Sequence, residues 1–339
     1  MSNTCHYCGI QMAIPEQGQV TMHPKQYEKM AGNRFVKPEF HQKHNRYYFS
    51  FQSTNNLITL LEEWLKEDVH NEWMELLDNH NNQMPITVQH LYERATQPAL
   101  TSIIYNGEFT SHIQPIIDLK TQGIFGYEAL LRTTNSSTSP GDLFAFAQRA
   151  GLHSMLDQKA REEAVKSKAK HIPKGQKCFI NFLPSTIYVP EYCLRHTFNI
   201  VKHYDVAPSD LVFEVVETEK ITNMDHLKNI FETYQASGMN VALDDVGSGY
   251  STIEVLNLLK PHIVKIDREY IRDCHLEKEK QDFLLRVINT AYELGVELLA
   301  EGIETIEEYN WLQNNGIQYG QGYYIGKPSP YPIHSFSHA

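Results

Sequence analysis

Two adjacent carboxylates, Asp244 and Asp245, stand between an apolar run, Met239-Asn240-Val241-Ala242-Leu243, and a glycine-rich stretch, Gly247-Ser248-Gly249. The run has the look of a buried strand, and the glycines suit a tight loop. Like charges side by side repel in a pocket of low dielectric, so a fold keeps such a pair where cations sit on it. A solvated Asp-Asp turn is the plain alternative. Further residues tip that balance. Glu214, Lys265, Glu301 and Gln321 lie in or beside other apolar strands, and Glu128 and Asn181 extend the set. Apart from Lys265, these side chains all offer oxygen. Oxygen-only sets choose hard cations, magnesium or manganese, over zinc. Asp244 and Asp245 are placed to bridge two such ions.

Such residues do chemistry together only if strands bring them to one place. From about residue 105 the sequence alternates strand and helix. Strands are expected over 111–117, 126–132, 178–182, 211–216, 241–244, 263–266, 297–300 and 322–325, with helices such as 226–237, 281–294 and 306–314 between them. This is the pattern of an α/β protein with a TIM-like (β/α)8 barrel, whose strand ends converge on one mouth. One acid on one strand is usually a solvated accident. Successive strands each delivering a charge or an amide to the same mouth are not.

The chain before residue 105 reads differently. Residues 1 to about 46 are polar, rich in histidine and weakly periodic. Cys5 and Cys8 form a short knuckle, and His41 and His44 follow downstream; together they could give a zinc site, with His6 and His23 as competing ligands. The spacing of His41 and His44 is shorter than usual for zinc, and a histidine-rich segment with two free thiols is the bland alternative. Arg46–Phe51 reads as a strand, and Leu57, Leu60, Leu61 and Trp64 share one helical face. The spacing of Val69, Trp73, Leu76 and Leu77 predicts that helix continues over 67–77. Met84–Thr87 is extended and leads into a helix over 88–95. The expectation is a small α+β module over 1–104, with a sensory or partner-binding role open, ahead of a barrel over 105–339.

Composition bounds the partners. The chain has 339 residues, 41% hydrophobic and 21% charged, as in a soluble globular protein. A net charge of −11 argues against bulk nucleic-acid or anionic-membrane binding, and leaves room for a small anion held by local cations. No apolar run reaches the roughly 18 residues of a membrane span. The first residues lack the basic and apolar regions of a signal peptide, and the five cysteines are odd in number. Both point to a cytoplasmic chain with reduced thiols.

The motifs in the second part carry a resemblance. Gln114-Pro115-Ile116, Glu128-Ala129-Leu130-Leu131-Arg132, Asn181-Phe182-Leu183-Pro184, Glu214-Val215-Val216-Glu217, Asp244-Asp245-Val246-Gly247-Ser248-Gly249, Lys265-Ile266-Asp267, Ala300-Glu301-Gly302-Ile303-Glu304 and Gln321-Gly322-Tyr323 stand in that order. Over residues 107–330 the chain resembles the EAL-domain family of cyclic di-GMP phosphodiesterases. The resemblance implies a barrel whose first strand is antiparallel and a reaction that gives linear pGpG with two Mg2+ or Mn2+ ions. It implies that Glu128, Asn181, Glu214 and Asp244 coordinate one cation, that Asp245 engages the second, and that Glu301 and Gln321 complete the site. Lys265 would hold and help deprotonate the attacking water, with Glu301 the other base. Arg132 would grip a phosphate, and Gln114, Leu130 and Asp267 would contact the nucleotide. Glu217 would brace the loop after Asp245, which in the family lies near the metals and a homodimer interface. Three positions depart from the family: Leu183, Val246 and Ser248 stand where Ser, Phe and Thr are usual. None removes a catalytic group. A binding-only receptor, or a protein-interaction module on the same fold, is the alternative; a silent barrel should lack ligands, and here every ligand position is filled.

Overall fold

Apolar residues alternate with polar ones in four short segments near the amino end, and alternation is the period of a strand with one buried face. Val20 and Met22 belong to β1 (Gly18–Met22). The short β2 (Glu39–His41) leads to β3 (Arg46–Phe51), which buries Phe49 and Phe51. Met74 and Leu76 belong to β4 (Trp73–Leu77), Met84 and Ile86 to β5 (Gln83–Thr87). The five strands pair antiparallel in the order β2-β3-β1-β4-β5. Their apolar face packs on Leu57, Leu60, Leu61 and Trp64 of helix Thr54–Leu65 and on Val88 and Leu91 of helix Val88–Thr96. Ser53 and Thr87 start these helices by accepting from the backbone N–H groups of Asn56 and His90. The structure, a computed structural model, describes residues 12–29, 38–67, 69–80, 82–134, 138–215, 223–246 and 253–336.

Two expectations for this region change. The segment expected to continue as helix over 67–77 ends in the strand β4. Its apolar residues fit both periods, and pairing with β1 on one side and β5 on the other decides for the strand. The weakly periodic stretch before residue 46 contributes β1 and β2, because Gln19 and Thr21 on β1 alternate with Val20 and Met22.

The second set of strands closes into a barrel. They are β6 (Phe109–Asp118), β7 (Ile124–Thr133), β8 (Lys177–Phe182), β9 (Leu211–Val215), β10 (Asn240–Val246), β11 (Ile263–Ile266), β12 (Glu297–Ala300) and β13 (Tyr319–Gly320). Around the barrel the order is β6-β7-β8-β9-β10-β11-β12-β13, and β13 returns to β6. β7 through β13 run parallel, while β6 runs antiparallel to β13, as the resemblance implies. The last strand lies earlier than expected. Tyr319–Gly320 forms it, and Gly322–Ile325 is a turn closed by Ile325 N–H donating to Gly322 O at 3.0 Å. A side chain at Gly322 would strike the Ile303 backbone, so the chain turns where only glycine fits.

The described residues form two compact units. One takes the residues up to Glu108 together with Thr133–Leu156; the other takes Phe109–Arg132 and Asp157 onward. The first unit thus includes helix Pro140–Arg149, which follows β7. In it Arg94 is buried and donates to Ala150 O at 2.8 Å and Gly151 O at 3.2 Å, the carbonyls at that helix's end. Among the described residues, no helix is long and apolar enough to cross a membrane.

Candidate active site

Strand period places the polar residues. Every other residue of a barrel strand faces the interior. Ile116, Phe179, Val212, Ala242, Ile263, Leu299 and Tyr319 form one apolar layer there. Two residues further along six successive strands come Asn181, Glu214, Asp244, Lys265, Glu301 and Gln321. They form the next layer, at the carboxyl ends. β6 runs the other way, so its contribution to that level, Gln114, stands two residues before Ile116. Glu128 on β7 pairs in register with Phe179, one side of Tyr127, whose ring belongs to the outer core. The outer faces of the same strands, for example Phe213, Val264 and Leu298, pack toward the helices.

One detail concerns the two adjacent aspartates. β10 matches Leu243 to Val264 and Val246 to Ile266, so it carries one residue more than β11 over this span. That is a β-bulge: Asp244 and Asp245 together stand opposite Lys265. A regular strand would send neighbours to opposite faces, and a bulge is the means by which a strand re-aims its residues beside a site.

The charges organise around Lys265. Its Nζ lies 2.9 Å from Glu214 Oε2, 3.2 Å from Asp244 Oδ1 and 2.7 Å from Glu301 Oε1. Lys265 is 1% exposed and Glu214 0%. Glu128 anchors the opposite side, accepting from Asn181 Nδ2 at 3.0 Å and Gln321 Nε2 at 2.9 Å. Burial works against the Lys265 ammonium, but Asp244, Glu128, Glu214 and Glu301 raise its pKa well above the usual lysine value. Burial also works against the Glu128 carboxylate; Lys265, then the amides of Gln321 and Asn181, outweigh it and hold Glu128 low. Glu214 goes the other way. Burial, with Glu128, Asp244 and Glu301 nearby, raises it well above the carboxylate range despite Lys265. Glu301 is pushed up to about 8, by burial first and then by Asp244 and Glu128. One buried cation shared among several acids leaves some of them protonated.

The donor set suits a hard cation. Glu214 Oε1 and Gln321 Oε1 are buried and accept no hydrogen bond from any described residue. Orphaned buried oxygens of this kind are what a cation coordinates. As the residues stand, the ammonium of Lys265 takes the centre. Among the described residues, no three His, Cys, Asp or Glu side chains are gathered closely enough to hold an ion by themselves.

A buried network sets the exit of β8. Asp157 accepts from Leu183 N–H at 3.1 Å and from Thr186 Oγ1 at 2.9 Å, and pairs with Arg161 at 2.8 Å. It explains why Leu183 is tolerated: the backbone at this position makes the contact. Breaking a buried pair of this kind typically costs about 3–5 kcal/mol.

The remaining candidates fall as follows. Gln114 Nε2 donates to Gly326 O at 3.1 Å. Arg132 donates to Leu131 O at 2.8 Å and, like Leu130, is half-buried. Asp267 caps the short helix Arg268–Ile271 by accepting from Glu269 N–H. Asp245 lies on β10 with its side chain outside the described residues, and Glu217, Ser248, Cys5, Cys8 and His6 lie outside them altogether. His41 ends β2 and His44 sits in the turn after it, its N–H donating to His41 O at 3.2 Å. His41 also lies 3.6 Å from Glu39 and packs on Tyr48. His23 precedes helix Pro24–Lys29, its N–H donating to Gln26 Oε1. The Asp157 network has one signal in the sequence, the i, i+4 spacing of Asp157 and Arg161.

The EAL domain family model matches residues 93–328, more than half of the chain, and the chain belongs to that family. It is 30% identical over 265 residues to the probable cyclic di-GMP phosphodiesterase PdeG of Escherichia coli K12, covering 76% of this chain and 50% of the relative. It spans half or less of the first curated relatives' length, 45% for the probable cyclic di-GMP phosphodiesterase PdeB of Escherichia coli K12. Among solved structures it is similar to a standalone versatile EAL protein from Vibrio cholerae in its c-di-GMP bound form. There the identity is 35% and the TM-score 0.61, with 68% of this chain and 95% of that one covered. It is also similar to Klebsiella pneumoniae BlrP1 in a manganese/cy-diGMP complex, at 29% identity and TM-score 0.61, covering 66% of this chain and 57% of that one.

Proposed function

We propose that the chain hydrolyses cyclic di-GMP to linear pGpG in a reaction that requires divalent cations. The observation that carries this reading is the polar layer at the barrel mouth, where Lys265 is buried among Glu214, Asp244 and Glu301 and Glu128 is held by Asn181 and Gln321. Glu128, Asn181, Glu214 and Asp244 would hold one Mg2+ or Mn2+, Asp245 would engage a second, and Glu301 and Gln321 would complete the site. Bound there, the ions would acidify water and neutralise phosphate charge. Lys265 would orient the attacking water. Lys265 would also help deprotonate that water, with Glu301 the other base. Arg132 would grip a phosphate, with Gln114, Leu130 and Asp267 against the nucleotide. The water oxygen bonds to phosphorus, the bond to the ribose 3′ oxygen breaks in line, and that oxygen leaves with a proton. Glu217 would brace the loop after Asp245, and a homodimer would form through that loop.

The test is product analysis with purified protein, cyclic di-GMP and Mg2+. Linear pGpG is expected; a chelator should stop its formation, and Mg2+ or Mn2+ should restore it. Calcium should serve poorly, since it prefers longer and looser coordination. Cyclic di-GMP bound but intact would instead make the chain a receptor. Turnover in excess chelator would remove the cations from the mechanism.

For the amino-terminal unit, Cys5, Cys8, His41 and His44 are proposed to clamp a zinc ion. Elemental analysis should find about one zinc per chain, lost when Cys5→Ser and Cys8→Ser are combined. A zinc-free wild type ends the idea.

A further inference from the structure

We infer that Glu308, a residue outside the mouth, is a positioning residue that holds Glu301 in place by tying together the segments leaving β11 and β12. Glu308 is 2% exposed. Its Oε2 accepts from Glu304 N–H at 2.9 Å and Thr305 N–H at 3.1 Å, and Thr305 Oγ1 accepts from Glu308 N–H at 3.2 Å. That much is a capping box for helix Ile306–Asn314. A cap needs only one of the two oxygens. The other, Oε1, accepts from Asp273 N–H at 2.9 Å, on the segment that follows β11. Asp273 has φ 57°, in the left-handed region that residues other than glycine rarely adopt. Its N–H is therefore presented to Glu308 at some backbone cost.

Three further contacts join the same two segments. Glu301 N–H donates to Ile266 O at 3.1 Å. Arg268 pairs with Glu304 at 2.6 Å, but these side chains are 53% and 38% exposed, and such a pair holds little. Gly302 has φ +69°, and a Cβ there would strike the Arg268 side chain. Of the side-chain contacts between these segments, that of Glu308 is the buried one. Glu301 lies three residues before Glu304, and its carboxylate meets Lys265 at 2.7 Å. β11 and β12 themselves stay paired, Ile266 with Ala300 and through the Glu301 N–H; release of Asp273 from Glu308 loosens the two segments that leave those strands, and with them the hold on the Glu301 carboxylate.

The role in turnover rests on the proposed hydrolysis, so two readouts are needed, one of them independent of it. Glu308→Gln keeps shape but has one acceptor oxygen, so it cannot serve both the cap and Asp273. Thr305→Ala weakens the cap and leaves the contact with Asp273. Glu308→Gln should speed hydrogen exchange at the Glu301 amide and lower kcat about 10-fold with KM nearly unchanged, the range seen when outer partners of a site are lost. Thr305→Ala should lower the unfolding midpoint while sparing both. If Glu308→Gln does not fold, Glu308→Asp, which is too short to reach both segments, should show the same two changes. Unchanged exchange at Glu301 in the folded Glu308 variant overturns the proposal, whether or not the wild type hydrolyses cyclic di-GMP. Equal losses of kcat in Glu308→Gln and Thr305→Ala would also overturn it, since they would make Glu308 a helix cap alone. A wild type without turnover counts against the hydrolase reading, and the exchange measurement still decides the role of Glu308.

Discussion

Lys265→Met is expected to abolish hydrolysis and to destabilise the metal-free chain by about 3–5 kcal/mol at neutral pH, the usual consequence of removing one partner from a buried ionic cluster. Lys265 Nζ is the shared counter-charge of Glu214, Asp244 and Glu301. Without it those acids stay buried with no cation, and Glu214 and Glu301, already raised, rise further. The sign of the pH effect follows. A carboxyl whose folded pKa lies above its unfolded value gives stability that is fully present below the unfolded pKa and is lost as pH rises through the folded one. Glu301 already behaves this way, at about 8 against an ordinary 4.5. The deficit of Lys265→Met should therefore shrink toward about pH 5 and widen toward about pH 8. Denaturant unfolding of both proteins across that range, in chelator, measures it. A variant as stable as the wild type at the alkaline end would mean that Lys265 does not neutralise the cluster.

Glu128→Ala is expected to lower turnover by more than about 100-fold, beyond the effect of losing an outer partner, because it removes a proposed ligand outright. Asp244→Ala should do the same from a different strand. The two differ in what they leave behind. Glu128 accepts from both Asn181 and Gln321, so its loss strands two amides in the barrel, at about 1–3 kcal/mol for each donor left buried and unpaired. Asp244→Ala removes one of three carboxylates from Lys265 and leaves two. Turnover measured over a magnesium titration, beside unfolding curves, separates loss of site from loss of fold. Near wild-type turnover at limiting magnesium in either variant would make the site assignment wrong.

The barrel was legible because β/α alternation repeats, and the site because its residues recur at strand ends. What escaped was decided by pairing. Leu211–Val215 is buried at every position, so no alternation in the sequence tells which way Glu214 points; the register with Asn181 and Ala242 does. Tyr319–Gly320 is too short to show a period, and the apolar Tyr323, Tyr324 and Ile325 after it drew the expected strand to a turn. Trp73–Leu77 fits helix and strand alike until β1 and β5 flank it. The bulge at Asp244 and Asp245 is a difference in length between two strands, and a single strand's residues do not carry it.

The closing seam of the barrel also governs when the chain can finish folding. Gly320 pairs with Ile117 and Tyr319 with Asp118, so the first and last strands meet across roughly two hundred residues of intervening chain. A ribosome delivers β6 and β7 first among the barrel strands and β13 last of them. Until then β6 presents an open row of amide and carbonyl groups, the kind of edge to which other chains add. All the residues of the amino-terminal unit have by then been made, since its last segment ends at Leu156. The hairpin Phe109–Arg132 lies between the two sequence segments of that unit, and is made long before the strand that closes on it. The period of exposure to aggregation is set by the wait for two residues, Tyr319 and Gly320.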